Sequence, residues 1–518
     1  MQTLSFCCQL PNGIHARPAS ALEQKTVSFQ SEITLFNKTK ARQGNAKSVL
    51  ALVGTDVALG DECYFQIEGR DENMAYERLK VFIEQEFLHC DVPLAQEART
   101  EQQILPIFLS RSISKIVRGN GVSQGLAKGQ SRLIKVPELR SLGQEQPESS
   151  RIQQYEELKK ALLLAREQLR QDIQKVAGEV ANILEAQSQL LDDEDVEACL
   201  LEQDQARNSM SALAMAIDEL SLPFRESSNE YLRQRELDIK DLGLRIAIHL
   251  SVAPILQLPE LDNDTIVVCQ GLLTPGQLLT LKGNNTNLQG IVMEEGAETS
   301  HTVILARTYS IPLLSASTAV IDQIKNNQTL LLDTRFNALI IEPDKYAEDW
   351  LTLEKAKLAR LTLSNKHVDS NYPVLTSELV LLDSTVASKD EAIKLLTDNL
   401  EVNHRTDLGT DVEHAIWQRE EVFSTALGFS IAIPHCKSLA VKHSSISVMR
   451  LLKDLSWGDN VDVRLIIMLT INENEENQHM RIFSVLARKL MHESFREKIM
   501  SAKNPNAIVE LLKYELGL

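Results

Sequence analysis

The chain has 518 residues, 43% of them apolar and 24% charged, which suits several packed globular modules and leaves little room for extensive disorder. Lysine and arginine total 54 against 72 aspartates and glutamates, a formal net charge of −18, so the surface repels nucleic-acid phosphates and anionic lipid. The N-terminus lacks a basic stretch followed by an apolar run, and apolar windows such as Val463 to Ile471 are too short to span a bilayer. A cytoplasmic location is expected, with no nucleic-acid partner and no direct membrane insertion. Seven cysteines without CxxC or CxxxC spacing imply neither a disulfide framework nor a zinc site.

Residues 1–92 read as a small α/β unit. Leu4, Phe6, Cys8 and Leu10 alternate, as do Ile33 with Leu35 and Cys63, Phe65 with Ile67, whereas Met74, Leu79, Phe82 and Ile83 fall at helical spacing. The polar stretch from Asp91 to Arg111 has no sustained period and reads as a linker. From Glu138 to Leu250 the pattern turns helical, with Leu158, Leu162, Ala165, Leu169, Ile173, Val176, Val180 and Ile183 spaced by three or four. Such a stripe could dock a partner, but a buried seam in a helix hairpin or bundle is the commoner cause and is preferred. Strand-like runs follow at Ile266 to Val268, Ile291 to Met293, Leu330 to Leu332 and Leu339 to Ile341. Apolar periodicity resumes near Leu351 and fades in the polar segment Leu363 to Pro373, and a last mixed α/β unit runs from Ser377.

Three of the eleven histidines stand in similar settings. His15 lies in NGIHARPAS (Asn12 to Ser20), after a turn signal and before Pro18, so a helix should start beside it with free backbone N–H groups near the ring. His301 lies in EEGAETSHTVILAR (Glu294 to Arg307), where a strand ends, Gly296 permits a tight turn, and Thr299 or Ser300 can cap the next helix. His435 closes FSIAIPHCK (Phe429 to Lys437), an alternating strand stopped by Pro434, which puts the ring at a sheet edge.

An imidazole with an unperturbed pKa of ~6.5 is largely neutral and nucleophilic near pH 7, and its nitrogen can take a phosphoryl group. The charge stays on three oxygens, which helix N-terminal amides and guanidinium groups stabilise. Arg17 stands beside His15, Arg307 follows His301, and Arg419 precedes His435. Each site alone has an ordinary structural explanation, a helix cap or a turn; the recurrence is what points to chemistry. No HxxxH, HExxH or His–carboxylate cluster accompanies these histidines, so no metal ligand is expected, and no GxSxG elbow suggests a hydrolase.

At these motifs the chain resembles the bacterial phosphoenolpyruvate-dependent sugar phosphotransferase system. NGIHARPAS, with GNAKSVLAL beyond it (Gly44 to Leu52), is similar to the phosphocarrier HPr, which implies an HPr-like open-faced β-sandwich over residues 1–92, phosphorylation of His15 and neutralisation by Arg17. Ser48 falls where some HPr proteins carry a regulatory phosphoserine, although a helix-cap role is favoured here. Residues 113–362 resemble the N-terminal half of enzyme I, opening with GNGVSQGLAKG (Gly119 to Gly129). The resemblance implies a helical HPr-docking part over residues 140–250 and a phosphohistidine β/α part over 260–345, with His301 phosphorylated and Thr299, Ser300 and Arg307 stabilising it. Ala297 and Glu298 stand where the family usually has glycine and arginine. Residues 375–518 resemble the mannitol/fructose type of enzyme IIA, a mixed α/β domain, through Arg419 with Glu420, the run Thr425 to His435, and Gln478 to Leu490. There the resemblance implies that His435 accepts the phosphoryl group and that Arg419 and His479 stabilise it; Phe429 and Cys436 depart from some members of the family.

In that family the phosphoenolpyruvate site of enzyme I lies in a C-terminal barrel of roughly 250 residues, and here only the short segment Leu363 to Pro373 separates the second and third modules. The resemblance therefore implies a histidine phosphotransferase that relays phosphoryl groups but lacks the phosphoenolpyruvate-dependent step. Magnesium and phosphoenolpyruvate are expected only on a separate enzyme I. The implied partners are that enzyme I, HPr, and the IIB and IIC components of a membrane permease for a fructose-like sugar. A phosphorylation-state sensor that binds partners without supporting uptake is the alternative, and a decayed remnant of a longer protein is a third possibility.

Overall fold

The computed structural model describes every residue except 15, 91–103, 137, 175, 228–232, 234–235, 251–260, 262, 272, 284–286, 295–300, 365–371, 459–460, 475–477 and 518. The chain divides into two compact units, one built from Met1–Gln103 with Ile116–Glu342 and the other from Ile104–Lys115 with Pro343–Leu518. Among the described residues no helix is long and apolar enough to cross a membrane.

The first unit opens with β1 (Gln2–Cys7), α1 (Ala16–Thr26), β2 (Glu32–Asn37), β3 (Arg42–Asn45), α2 (Val49–Gly54), β4 (Glu62–Glu68) and α3 (Glu72–Gln85). The strands form an antiparallel sheet in the order β1-β4-β2-β3, with Leu4 opposite Phe65 and Leu35 opposite Phe65 on the other side. Period-two alternation puts Leu4, Ile33, Leu35, Phe65 and Ile67 on one buried face, the one the helices cover. Gly13 makes the turn into α1: its φ is +72°, and a Cβ there would stand 2.1 Å from the Val57 carbonyl oxygen, so no other residue fits. Ser48 is the N-cap of α2 and accepts from the Ala51 N–H at 3.1 Å.

A helical layer follows: α4 (Leu139–Glu145), α5 (Arg151–Gln174), α6 (Glu179–Leu191), α7 (Glu194–Leu201), α8 (Ser209–Arg225) and α9 (Glu236–Leu250). The expected apolar stripe is real but divided between α5, which buries Leu158, Leu162, Ala165 and Leu169, and α6, which buries Ile183 and Leu184. It serves as a core seam, and the cores of the small sheet and of the helices run together as one cluster. The carboxylate of Asp193 joins them. It is the N-cap of α7, accepting from the Asp195 N–H at 2.9 Å, and it also takes the Ser48 hydroxyl at 3.0 Å and the Leu50 N–H at 3.3 Å, so one side chain sits at the N-termini of two helices. Burial nevertheless pushes its carboxyl above the usual range. Ser227 donates to Asp56 across the same junction, and Ser20 donates to Gln189.

The unit closes with an eight-stranded mixed sheet ordered β5-β12-β11-β7-β8-β9-β10-β6. Its strands are β5 (Lys115–Arg118), β6 (Asn120–Ser123), β7 (Leu126–Lys135), β8 (Thr265–Gln270), β9 (Leu288–Glu294), β10 (Leu313–Ala316), β11 (Thr329–Asp333) and β12 (Ala338–Ile341). Helices α10 (Pro275–Lys282) and α11 (His301–Thr308) follow β8 and β9. The run Ile266 to Cys269 is buried without alternation, as a parallel strand covered on both faces must be.

The second unit starts from α12 (Lys345–Ser364), then β13 (Val380–Ser384), α13 (Lys389–Val402), α14 (Gly409–Val422), β14 (Ala426–Gly428), β15 (Ile431–Ala432), β16 (His435–Ser438), β17 (Ser445–Gly458), β18 (Val461–Asn472), α15 (Gln478–Leu490), α16 (Glu493–Ser501) and α17 (Pro505–Leu516). Its sheet runs β13-β17-β18-β15-β14, with β16 also paired to β18. Two expectations change here. Helix α12, assigned by its position in the chain to the middle module, belongs with the C-terminal one: Glu354 and Lys357 on α12 interlock with Lys394, Asp398 and Glu401, and Trp350 stacks under the Lys394 ammonium at 4.3 Å. The end of the expected linker is also structured, since Ile107–Ser110 is a helical turn whose Phe108 packs buried against Trp350.

Candidate functional site

His301 is the first residue of α11, where backbone N–H groups lack intrahelical partners. Its Nδ1 lies 2.8 Å from Oδ1 of Asp238, a buried residue on α9, and the ring is only 13% exposed. A carboxylate only accepts, so Nδ1 carries the proton of this bond, and in the neutral form of the ring the lone pair then lies on Nε2. The next residue fixes the helix: the Thr302 hydroxyl donates to the Leu273 carbonyl at 2.7 Å, just before α10.

His435 has the same tautomer by a different route. Its Nδ1–H donates to the carbonyl of Ile433 at 2.9 Å, two residues back, and Nε2 accepts from Nε of Arg419 at 3.1 Å. The expected strand does not simply stop at Pro434. It breaks there and resumes with His435 as the first residue of β16, opposite Leu469 of β18, so proline reaims the chain within the sheet. Arg419, near the C-terminal end of α14, is held by a second bond from Nη1 to the Phe423 carbonyl at 3.0 Å. Its neighbour Glu420 points inward, where it accepts from Lys389 at 2.6 Å, from the Trp457 indole at 3.0 Å and from the Thr425 N–H at 3.1 Å. Burial works to raise that carboxyl, but the Lys389 and Thr425 contacts outweigh it and hold it below the usual range. Glu420 thereby fixes the rotation of α14 and keeps the Arg419 guanidinium on the ring.

Both rings thus have Nδ1 committed to an oxygen acceptor, and at His435 Nε2 is an acceptor with a guanidinium beside it, where phosphoryl oxygens would lie. Arg307 lies in the last turn of α11, and its Nε donates to the Val122 carbonyl at 2.8 Å, which ties the helix to β6. His15, Thr299 and Ser300 lie outside the described residues, as do the side chains of Arg17 and His479; Arg17 belongs to α1 and His479 to α15. Sequence inspection missed Asp238. The signal was available, because Asp238, Asp241 and Arg245 put charges on the buried face of an otherwise amphipathic helix. Among the described residues no cluster of three or more His, Cys, Asp or Glu could hold a metal.

Four stretches match known families. Residues 3–85 match the PTS HPr component phosphorylation site, 118–235 the N-terminal domain of PEP-utilising enzymes, 261–335 their mobile domain, and 373–515 the EIIA 2 domain of the phosphoenolpyruvate-dependent sugar phosphotransferase system. Multiphosphoryl transfer protein 2 of Escherichia coli strain K12 is 24% identical over 834 aligned positions that take in 99% of this chain and 100% of that protein. Those positions outnumber the 518 residues here, so the relative carries internal stretches without a counterpart. The phosphoenolpyruvate-protein phosphotransferase of Staphylococcus epidermidis is 26% identical over 263 positions, 49% of this chain and 45% of that protein. Among solved structures, the nitrogen regulatory protein IIA-Ntr of Neisseria meningitidis matches at 28% identity and a TM-score of 0.26, covering 27% of this chain and 96% of that one.

Proposed function

We propose, from the premise that this chain belongs to the multiphosphoryl transfer proteins of the sugar phosphotransferase system, that it passes one phosphoryl group along three of its own histidines. His15 is charged by a separate enzyme I, exchanges the group reversibly with His301, and supplies His435. His435 delivers it to the IIB component of a IIB/IIC permease for a fructose-like sugar. The observation that carries this is the shared arrangement at His301 and His435, each ring held at Nδ1 by an oxygen acceptor. Every acceptor is an imidazole, so the steps are close to isoenergetic, and catalysis reduces to positioning and charge stabilisation. Tethering makes the hand-offs intramolecular and raises the effective concentration of each partner to the millimolar range, about what a short flexible linker gives.

The source of the phosphoryl group follows from the internal difference in length. With no barrel-sized segment between α12 and β13, phosphoenolpyruvate and magnesium act on the separate enzyme I and not on this chain. Purified protein incubated with labelled phosphoenolpyruvate and magnesium should stay unlabelled, and adding enzyme I should label it. Label acquired without enzyme I would overturn that assignment. Unaltered sugar uptake on deletion, together with a partner bound in one phosphorylation state only, would favour the sensor over the relay.

A further inference from the structure

On α9, Asp238, Asp241 and Arg245 are spaced by three and four residues, share one face, and are all buried. Asp238 holds His301. Arg245 has a side chain only 9% exposed, yet its Nε and Nη2 have no hydrogen-bond partner. Its ionic neighbours are Asp241, 3.6 Å from Nε, and Asp172, 3.7 Å from Nη1, both beyond hydrogen-bond length. Asp241 is already engaged by the Gln187 amide at 2.7 Å. Leaving two donors of a cation unused in a buried place is costly, so such a group ordinarily marks a missing acceptor.

The surroundings say where that acceptor belongs. The guanidinium lies against the first turn of α10: a Cβ on Gly276 would meet Nη2 at 2.7 Å, so glycine there makes room for it. Thr274 and Gln277 form a capping box at that turn, which uses the N–H groups of Thr274 and Gln277 and leaves that of Gly276 at the second helical position. The same segment is tied to the residue after His301, since the Thr302 hydroxyl donates to the Leu273 carbonyl. Arg245 lies two turns beyond Asp238 on the same face of α9, and helical side chains lean toward the N-terminus, the direction in which Asp238 lies.

We propose that Arg245 and the first turn of α10 seat the phosphoryl group carried on His301 Nε2, the role that sequence position had suggested for Arg307. This rests on the relay. In the transfer, the Nε2 lone pair forms the new N–P bond as the bond to the donor imidazole breaks and its electron pair stays on that ring. The proton on Nδ1 remains, and Asp238 balances the charge the ring acquires. No outside acid or base is needed. Arg245 then donates from Nε and Nη2 to phosphoryl oxygens.

The test uses the full chain charged by enzyme I and phosphoenolpyruvate, with label assigned to each histidine by phosphosite mapping. Arg245→Gln should lower the occupancy of His301 about tenfold or more, the loss expected for charge-assisted bonds to a phosphoryl group, and leave that of His15 unchanged. Arg245→Lys should recover part of it, which a merely structural role would not require. The unsubstituted chain gives an independent measure. In a 31P titration, the phosphoryl oxygens of phospho-His301, as distinct from the ring Nδ1 held by Asp238, should take up their proton at lower pH than in the urea-unfolded chain. Occupancy in Arg245→Gln equal to the wild type, or a 31P titration that matches the unfolded chain, overturns the seat and leaves the relay standing. A wild-type chain that never carries label on His301 overturns the relay at that step, and the seat with it.

Discussion

Nε of Arg419 stands 3.1 Å from Nε2 of His435, while the other nitrogen of the ring is committed to the Ile433 carbonyl. The arginine therefore marks the nucleophilic nitrogen and is in place to follow the phosphoryl group that replaces its contact. Arg419→Ala should slow labelling of His435 by roughly ten- to a hundredfold, matching the 1.5–3 kcal/mol of a hydrogen bond to a charged group. Arg419→Lys should restore only part of the rate, because an ammonium cannot hold both the ring side and the Phe423 carbonyl. Equal rates in rapid-quench labelling would remove Arg419 from the mechanism.

Asp238 fixes the His301 tautomer and supplies a negative charge, and two substitutions separate these roles. Asp238→Asn keeps an acceptor for Nδ1–H; Asp238→Leu removes acceptor and charge together. Phosphoryl occupancy of His301 should fall in the order wild type, Asn, Leu, with roughly tenfold lost at the last. If Leu matches wild type in phosphosite mapping, the carboxylate has no part in the transfer.

The junction between the N-terminal sheet and the helical layer depends on Ser48 and Asp193. Ser48→Ala removes the α2 cap, worth about 1 kcal/mol, and the hydroxyl bond to Asp193. Ser48→Glu sets a carboxylate against a buried carboxylate and should release the junction. Hydrogen exchange at the Leu50 amide reads it directly: fast in Ser48→Glu, slow in the wild type. An unchanged rate would show that Asp193 is not what holds the modules together.

Glu413, on α14, accepts from the Phe108 N–H at 3.2 Å through one oxygen, and its other oxygen has no hydrogen-bond partner. Burial pushes its carboxyl from 4.5 up to about 8, against the pull of Lys394. Between those values the folded chain holds a proton that the unfolded chain has lost. The contribution is therefore complete below 4.5 and lost as pH rises through about 8. Glu413→Gln, which mimics the protonated side chain, should lose less stability than wild type between about pH 5 and about pH 8 in urea melts. Parallel pH profiles would contradict the assigned protonation.

Much of this was legible in the sequence, and the reason is locality. Alternation in Ile33 to Leu35 and Cys63 to Ile67 marks strands because a pleated, half-buried sheet imposes period two on its own residues. Arg419 and His435 could be paired because a helix and the strand pair after it bring them together over 16 residues. Asp238 could not be paired with His301, since 63 residues of helix, sheet and turn separate them and nothing local links a helical aspartate to a later cap. Arg307 is near His301 in the chain, and its Nε bond to the Val122 carbonyl, 185 residues away, was likewise beyond any local pattern. Helix α12 was assigned wrongly because its partners Lys394 and Glu401 come later, and a buried ion cluster leaves no periodic trace.

The relay stands or falls on whether label enters through one histidine and leaves through another. The decisive measurement charges the full chain with enzyme I and phosphoenolpyruvate, in the absence of free HPr, and maps phosphohistidine in the wild type and in His15→Ala. The expected result is label on His15, His301 and His435 in the wild type and on none of them in the variant. Label on His301 or His435 in His15→Ala, or a wild type labelled at His15 alone, would contradict it.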